Sequence, residues 1–171
     1  MAKVVMVVAQ EGFRDEELLV PKEILEKEGH IIKIASLSRA KATGSKGAVV
    51  LPDMAAYEVN PEYFDAVVIV GGPGSPVLAH TKEVVDLVEK AYKMGKIVAA
   101  ICLGPMTLAA AGILSGKKAT VYPSDNGLAA LKNGGARYKA EPVVIDGRII
   151  TADSPQSAGE FSTAINEMLK E

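Results

Sequence analysis

Residues 97–105 read IVAAICLGP, and this stretch places Cys102 directly after an apolar run and directly before Leu103 and a Gly-Pro pair. The first five residues are continuously apolar, which is typical of a strand buried on both faces of a parallel sheet. Pro105 suits the first turn of a helix, where its missing N–H needs no partner. The stretch therefore predicts a strand, a sharp turn that carries Cys102, and a following helix.

The same alternation of strand and helix patterns continues along the chain in both directions. Strands are predicted at residues 4–9, 31–36, 66–70, 97–101, 119–122, 143–145 and 148–152, the last two joined by Asp146-Gly147. Helices are predicted at 15–28, 83–94, 105–114 and 158–169, and residues 43–57 resemble a loop with a short hairpin or edge strand. Repeated strand–helix units predict one α/β domain over 1–171, a flavodoxin-like (Rossmann-like) sandwich with a mainly parallel central sheet and helices on both faces.

The first predicted helix carries several more detailed expectations. Asp15 is expected to be its N-cap, and Pro21 is expected to kink it because the proline ring removes one backbone hydrogen bond. Its apolar positions are expected to face inward, and these are Leu18, Leu19, Ile24 and Leu25.

Composition and charge exclude several classes of function. The formal net charge of −2 offers no field for a polyphosphate, so nucleic acid is not an expected partner. Residues 97–114 form an uncharged stretch long enough to span a bilayer, but Gly104-Pro105 interrupts it, so we expect no membrane span. The first residues lack a signal-peptide pattern, and we expect a cytoplasmic protein.

The cysteine and histidine content gives little support to a metal or cofactor site. The chain has one cysteine, which excludes an internal disulfide and any multi-cysteine metal site. The two histidines, His30 and His80, are far apart and show no ligand spacing. We therefore expect no metal and no cofactor, a surface position for His30, and a helix-entry position for His80.

Ligands of open parallel sheets bind beyond the carboxyl ends of the strands, which selects the loops 10–17, 71–75 and 102–105. A cysteine on a turn between a buried strand and a helix is presented to that crevice. The helix N-terminus favours the thiolate, so Cys102 is predicted to be a reactive thiol with a lowered pKa. The alternative is a small buried apolar residue in an alanine-rich segment, where free cysteine is common.

The glycine-rich loop that follows the strand at 66–70 offers backbone donors. Its bare N–H groups can face a ligand, and the N–H of Gly72 together with that of Leu103 could form a two-donor oxyanion site beside the sulfur. A dinucleotide-binding loop is the competing interpretation, but the glycine spacing does not fit it. The presence of Gly74 is explained by a tight turn alone, without a role in ligand binding.

Three carboxylates open the first predicted helix, Asp15, Glu16 and Glu17. Acids in a first helical turn are usually solvated and interact favourably with the helix dipole. One that projected toward Cys102 would keep its proton and donate to the thiolate, because two anions cannot form cheaply in one dry site. The residues themselves leave open which of the three it would be.

The chain resembles the ThiJ/PfpI superfamily, which includes intracellular proteases, glyoxalase III-type enzymes and the parkinsonism-associated deglycase, on a fold like that of class I glutamine amidotransferases. The resemblance covers nearly the whole chain. It rests on the segments FRDEEL (13–18) with Pro21, IVGG (69–72), AICLGP (100–105) and YP (122–123).

The resemblance implies a role for each matching residue. Cys102 would be the nucleophile and Glu17 its partner acid, with Gly72 and Leu103 as oxyanion donors, and Tyr122 and Gly71 at the pocket. It also implies a homodimer or a higher homo-oligomer.

One departure from the family pattern bears on activity. Protease-like members carry histidine directly after the cysteine, where this chain has Leu103, and leucine can neither accept nor relay a proton. We therefore predict an enzyme that uses Cys102 and Glu17 on small reactive carbonyls, as in glyoxalase III-like or deglycase-like chemistry. The alternatives are a redox-responsive or chaperone-like stress protein with an oxidisable cysteine, and a weak peptidase.

Overall fold

The computed structural model describes all residues 1–171 and contains twelve strands and five α-helices. The strands are β1 Lys3–Val7, β2 Glu11–Phe13, β3 Ile31–Ser36, β4 Ala42–Gly44, β5 Val49–Val50, β6 Met54–Ala55, β7 Ala66–Ile69, β8 Ile97–Ile101, β9 Lys118–Ala119, β10 Arg137–Tyr138, β11 Val143–Asp146 and β12 Ile149–Ala152. The helices are α1 Asp15–Lys27, α2 Lys82–Lys93, α3 Pro105–Ala110, α4 Asp125–Asn133 and α5 Ala158–Leu169. Short 3₁₀ turns cover Ala56–Glu58, Pro61–Tyr63, Ser75–His80 and Pro155–Ser157.

Seven strands form the central sheet in the order β11-β12-β8-β7-β1-β3-β6. Every neighbouring pair is parallel except the β11–β12 hairpin at one edge. The predicted α/β sandwich with a mainly parallel sheet is therefore confirmed. Strand β3 lies on one side of β1, and β7 lies on its other side. The order of the strands therefore reverses between β1 and β7, which is the topological switch point of the sheet.

Alternating side chains of the central strands enter two separate cores. Val5, Val67 and Val98 point to the face that α2, α3 and α4 cover, and Met6, Val68 and Ala99 point to the face that α1 and α5 cover. Both sets are fully buried. Burial on both faces explains why these strands read as continuous apolar runs rather than as alternating patterns.

Helix α1 corrects two expectations, the identity of its N-cap and the inward orientation of Leu19 and Ile24. Its N-cap is Arg14, and Asp15 is the first helical residue rather than the cap. Leu19 is exposed and Ile24 is half-buried, because Glu17, Leu18, Pro21 and Leu25 occupy the buried face instead. The helix continues through Pro21 to Lys27.

Other element boundaries also differ from the sequence prediction. Helix α3 ends at Ala110, since Gly112 adopts a left-handed backbone that ends the helical path. The strand expected at 119–122 is the two-residue β9, paired with β10 outside the main sheet. The β11–β12 turn consists of Gly147 and Arg148, with Asp146 still paired in β11. Helix α4 was not predicted, although Ser124 caps it through the Gly127 N–H.

The loop at 43–57 contains the expected hairpin and edge strand, as β4–β5 and β6. No helix in the structure is both long enough and apolar enough to cross a membrane.

Candidate active site

Cys102 stands on a strained turn between β8 and α3. Its φ of 62° makes it the only residue other than glycine with a left-handed backbone in the chain. That conformation costs an L-amino acid about 1–2 kcal/mol. Two backbone hydrogen bonds of 2.8 Å hold it, one from the Cys102 N–H to the Ala152 carbonyl and one from the Tyr122 N–H to the Cys102 carbonyl. The turn thus presents the sulfur at the carboxyl end of the sheet, as predicted.

Glycines allow the backbone to pack closely around this turn. A Cβ on Gly104 would lie 2.5 Å from the Ile69 carbonyl oxygen, so no larger residue fits there without movement. A Cβ on Gly71 would lie 2.5 Å from Glu17 Oε1 and 2.9 Å from Cys102 Cβ. The bare backbone of Gly71 is therefore what allows Glu17 and Cys102 to meet.

Glu17 is the acid that the structure brings to Cys102. It lies in the first turn of α1 and is fully buried. Neither carboxylate oxygen has a protein partner at good hydrogen-bond geometry, although the Cys102 thiol and the Gly71 N–H are close enough to lower its pKa. Burial outweighs these contacts and raises the pKa of Glu17 to about 8, while the nearby Arg14 guanidinium opposes the rise.

The other two acids of the segment face elsewhere. Asp15 is buried and accepts hydrogen bonds from the N–H groups of Lys46 (3.1 Å) and Ala48 (2.9 Å), which tie the β4–β5 hairpin to α1. Glu16 pairs with Arg14, whose Nε lies 2.8 Å from Glu16 Oε2. Of the three candidates, only Glu17 lies against the sulfur.

The predicted oxyanion donors also meet at Cys102. The N–H groups of Gly72 and Leu103 approach the sulfur and lower the pKa of the thiol. No backbone carbonyl accepts from either of them. Both donors therefore remain available to a negative charge that forms on the sulfur or on an atom bonded to it.

The expectation of a lowered thiol pKa is wrong for this structure. Burial, first, and then the negative charge of Glu17 raise the pKa of Cys102 well above its usual range, and the two N–H groups only partly offset this. Helix α3 has only six residues, so its dipole contributes less than a longer helix would. Instead of a free thiolate, the site holds a thiol beside a carboxyl group that titrates near pH 8.

A cavity of about 220 Å³ opens over the sulfur. It is lined by Arg14, Glu17, Gly72, Pro73, Cys102, Leu103, Tyr122 and Pro155. Tyr122 lines it as the resemblance implied, whereas Gly71 lies behind Glu17 and Cys102 and does not line it. The volume is below the usual range of about 300–1,000 Å³ for drug-sized ligands, so the cavity suits a small molecule.

The sequence analysis missed three lining residues, Arg14, Pro73 and Pro155. Pro155 comes from the loop after β12, the strand that pairs with β8. The signal for it was topological, since every loop at the carboxyl edge next to Cys102 is a candidate for the lining. Arg14 and Pro73 lie in two of the loops that the sequence selects, 10–17 and 71–75.

Neither histidine reaches this cavity. His30 accepts a hydrogen bond from the Ala2 N–H and bonds Asn166, at the end of the sheet opposite to Cys102. His80 is exposed at the end of the 3₁₀ turn before α2 and lines a separate pocket with Met106. No imidazole is available to accept a proton from Cys102.

Fold and site together define a class, the α/β proteins that carry a cysteine at a strand–helix turn with a buried glutamate against it. The model of the DJ-1/PfpI family matches residues 2–168, and the chain belongs to that family.

Relatives and solved structures agree with this membership. The chain is 43% identical to an uncharacterized protein from Methanocaldococcus jannaschii over 96% of this chain and 80% of the relative. It is 36% identical to a deglycase from Thermococcus kodakarensis, with 97% of each covered, and 32% identical to a glutathione-independent glyoxalase from Caenorhabditis elegans, covering 94% and 84%. The crystal structure of a ThiJ/PfpI domain protein from Brachyspira murdochii superposes with a TM-score of 0.95 at 32% identity, covering 98% and 96%.

Proposed function

We propose that this protein is a cysteine-dependent enzyme that acts on small reactive carbonyls, with glyoxalase III-like or deglycase-like chemistry. One observation carries the proposal: a buried carboxyl group with a pKa of about 8 lies against the Cys102 thiol inside a small cavity. A base of that pKa is suited to accept a thiol proton near neutral pH. Relatives named as a deglycase and as a glyoxalase support this choice of substrate class.

The first step is the addition of the thiol to a carbonyl. Once Glu17 is ionised, it accepts the thiol proton while the sulfur forms a bond to the aldehyde carbon of a 2-oxoaldehyde. The electron pair of the C=O π bond moves to oxygen, where the N–H groups of Gly72 and Leu103 stabilise it. Protonation of that oxygen by Glu17 gives a hemithioacetal and restores the carboxylate.

The same carboxylate then moves a proton within the adduct. Glu17 removes the hydrogen on the former aldehyde carbon and returns it to the neighbouring carbon, while the hemithioacetal hydroxyl gives its proton to the oxygen on that neighbouring carbon. These two shifts convert the hemithioacetal into a thioester of a 2-hydroxy acid. Water, deprotonated by Glu17, cleaves the thioester and restores the thiol. The sequence is redox-neutral overall, so it needs no cofactor.

A peptidase has less support from this site. The cavity lacks an imidazole, and its small volume gives little room for a peptide. Glu17 would have to protonate an amine leaving group alone. Peptide cleavage that is lost in Cys102→Ala would contradict this interpretation.

Turnover of methylglyoxal to lactate by the purified protein tests the proposal. We expect Cys102→Ser and Glu17→Gln each to reduce kcat/KM by about 100-fold or more, because each removes a reacting group. Glu23→Gln, on the exposed side of α1, is the matched control and should leave the rate unchanged. Absence of turnover in the wild type, together with reversible oxidation of Cys102 by peroxide, would favour the redox-responsive alternative.

We further propose that the enzyme works in the cytoplasm as a homodimer or higher homo-oligomer, as the family resemblance implies. Light scattering at micromolar concentration tests the assembly, and a monomer mass would contradict it.

A further inference from the structure

Arg14 is the only positively charged residue that lines the Cys102 cavity. The other ionisable groups in the lining are Glu17, Cys102 and Tyr122. Because burial keeps Glu17 largely protonated at neutral pH, the guanidinium brings a positive charge to the lining, and its ion-pair partner Glu16 lies outside the lining. A neutral oxoaldehyde has no charged group that could pair with this guanidinium.

The Arg14 guanidinium has free donors, and the backbone of Arg14 is held beside the glycine loop. Its Nε donates to Glu16 at 2.8 Å, whereas its two terminal nitrogens donate to no protein acceptor. The Arg14 backbone N–H donates to the Gly71 carbonyl at 2.9 Å, which anchors the residue beside the glycine loop. A planar guanidinium edge matches the two oxygens of a carboxylate.

We propose that Arg14 is a specificity-determining residue that selects carbonyl substrates carrying a carboxylate group. The proposal rests on the proposed function of the same site, whose substrate class it narrows. The cavity volume of about 220 Å³ favours the compact carboxylate over a bulkier anionic group. The carbonyl carbon would face Sγ while the carboxylate pairs with Arg14.

Two alkylating reagents of similar size, one with a carboxylate and one with a neutral amide, provide the test. Iodoacetate and iodoacetamide both form an S–CH₂ bond with Cys102 and release iodide, while the thiol proton leaves to the buffer. The ratio of their rate constants cancels the thiolate fraction and the nucleophilicity of the sulfur. The ratio therefore measures whether the cavity favours a carboxylate over a neutral amide. If Arg14 had a purely structural role, its replacement would leave this ratio unchanged.

We expect Arg14→Gln to lower the iodoacetate-to-iodoacetamide ratio about three- to fivefold, as befits a partly exposed charge. Arg14→Lys should keep most of the ratio, and Glu16→Gln should raise it by removing the competing carboxylate. Arg148→Gln, at the opposite end of the sheet, makes the same change in net charge and should have no effect. In the wild type, 1 M salt should lower the ratio.

An unchanged ratio in Arg14→Gln, or an equal fall in Arg148→Gln, would overturn the proposal. If Arg14→Gln does not fold, a wild-type ratio that is insensitive to salt would overturn it as well. Alkylation needs no turnover, so the two proposals fail separately. Absence of methylglyoxal turnover in the wild type would contradict the proposed function. Absence of a difference between the two reagents that depends on Arg14 would contradict only the proposed selection of carboxylates.

Discussion

The Glu17 carboxyl group and the Cys102 side chain meet across the bare backbone of Gly71, each within 3 Å of the point that a Cβ on Gly71 would occupy. Burial raises the pKa of both groups, and the negative charge of Glu17 raises the pKa of Cys102 further, whereas the hydrogen bond from the Cys102 thiol lowers that of Glu17. Cys102 and Glu17 therefore form one coupled site, in which a single negative charge is stable and a second is strongly disfavoured.

Gly71→Ala should separate the pair. The added methyl group would overlap the Ile101 carbonyl oxygen and Glu17 Oε1 and press on Cys102 Cβ, so we expect a loss of about 1–3 kcal/mol in the free energy of unfolding. Methylglyoxal turnover should fall more than stability alone explains. Gly159→Ala is the control, because its Cβ meets nothing within 4 Å and α5 should be unchanged or stabilised. Denaturant unfolding and initial rates measure both effects, and equal behaviour of the two variants would contradict this account.

The raised pKa of Glu17 predicts how stability depends on pH. The pKa of the Glu17 carboxyl group is 4.5 in the unfolded chain and about 8 in the folded protein, so the folded state holds the extra proton between these values. Its contribution to stability is complete below pH 4.5 and is lost as the pH rises toward 8, by about 1.4 kcal/mol per pH unit.

Glu17→Gln removes this titration. The difference in unfolding free energy between wild type and Glu17→Gln should therefore shift against the wild type as the pH rises from 5 to 8. Urea unfolding at several pH values measures it, with the exposed Glu23→Gln as a control that should show no such slope. A wild-type curve parallel to that of Glu17→Gln would mean that Glu17 is not buried as a neutral acid.

Replacement of Asp15 should lower stability without changing the titration of the Cys102 thiol. Asp15→Ala leaves the Lys46 and Ala48 N–H groups without their acceptor, so we expect a loss of about 1–3 kcal/mol in stability. Asp15 does not contact the thiol, so the pH profile of Cys102 alkylation should keep its midpoint. Iodoacetamide kinetics at a series of pH values in the wild type and in Asp15→Ala check this, and a displaced rate–pH curve would give Asp15 a part in the site.

The buried strands and the Cys102 turn were predictable because their signals are local. A continuous apolar run reports burial on both faces, and the Cys-Leu-Gly-Pro sequence reports a strand-to-helix turn. The choice of Glu17 among three acids depends instead on the rotation of α1. Glu17, Pro21 and Leu25 follow one another at intervals of four residues on a single buried face, a period that the sequence carries and that the exposed Leu19 obscured.

Three other features could not be predicted from local pattern. The thiol pKa depends on how deeply Cys102 and Glu17 are buried together, which only the assembled loops determine. Helix α4 has a glycine in its first turn and only one fully buried apolar side chain, Leu131, so its existence rests on the Ser124 cap and on packing against α3. Arg14 enters the cavity only because α1 begins beside the glycine loop.

Thiolate absorbance, titrated with base in the wild type and in Glu17→Gln, tests the coupling of Cys102 and Glu17 most directly. The curve of Cys102→Ser is subtracted from each to remove the tyrosines. The account predicts that Glu17→Gln forms thiolate at a pH about one unit or more below the wild type, because it no longer carries the charge that opposes ionisation of the sulfur. Glu23→Gln should follow the wild type. Superimposable curves for the wild type and Glu17→Gln would contradict the account, since they would show that Glu17 and Cys102 titrate independently.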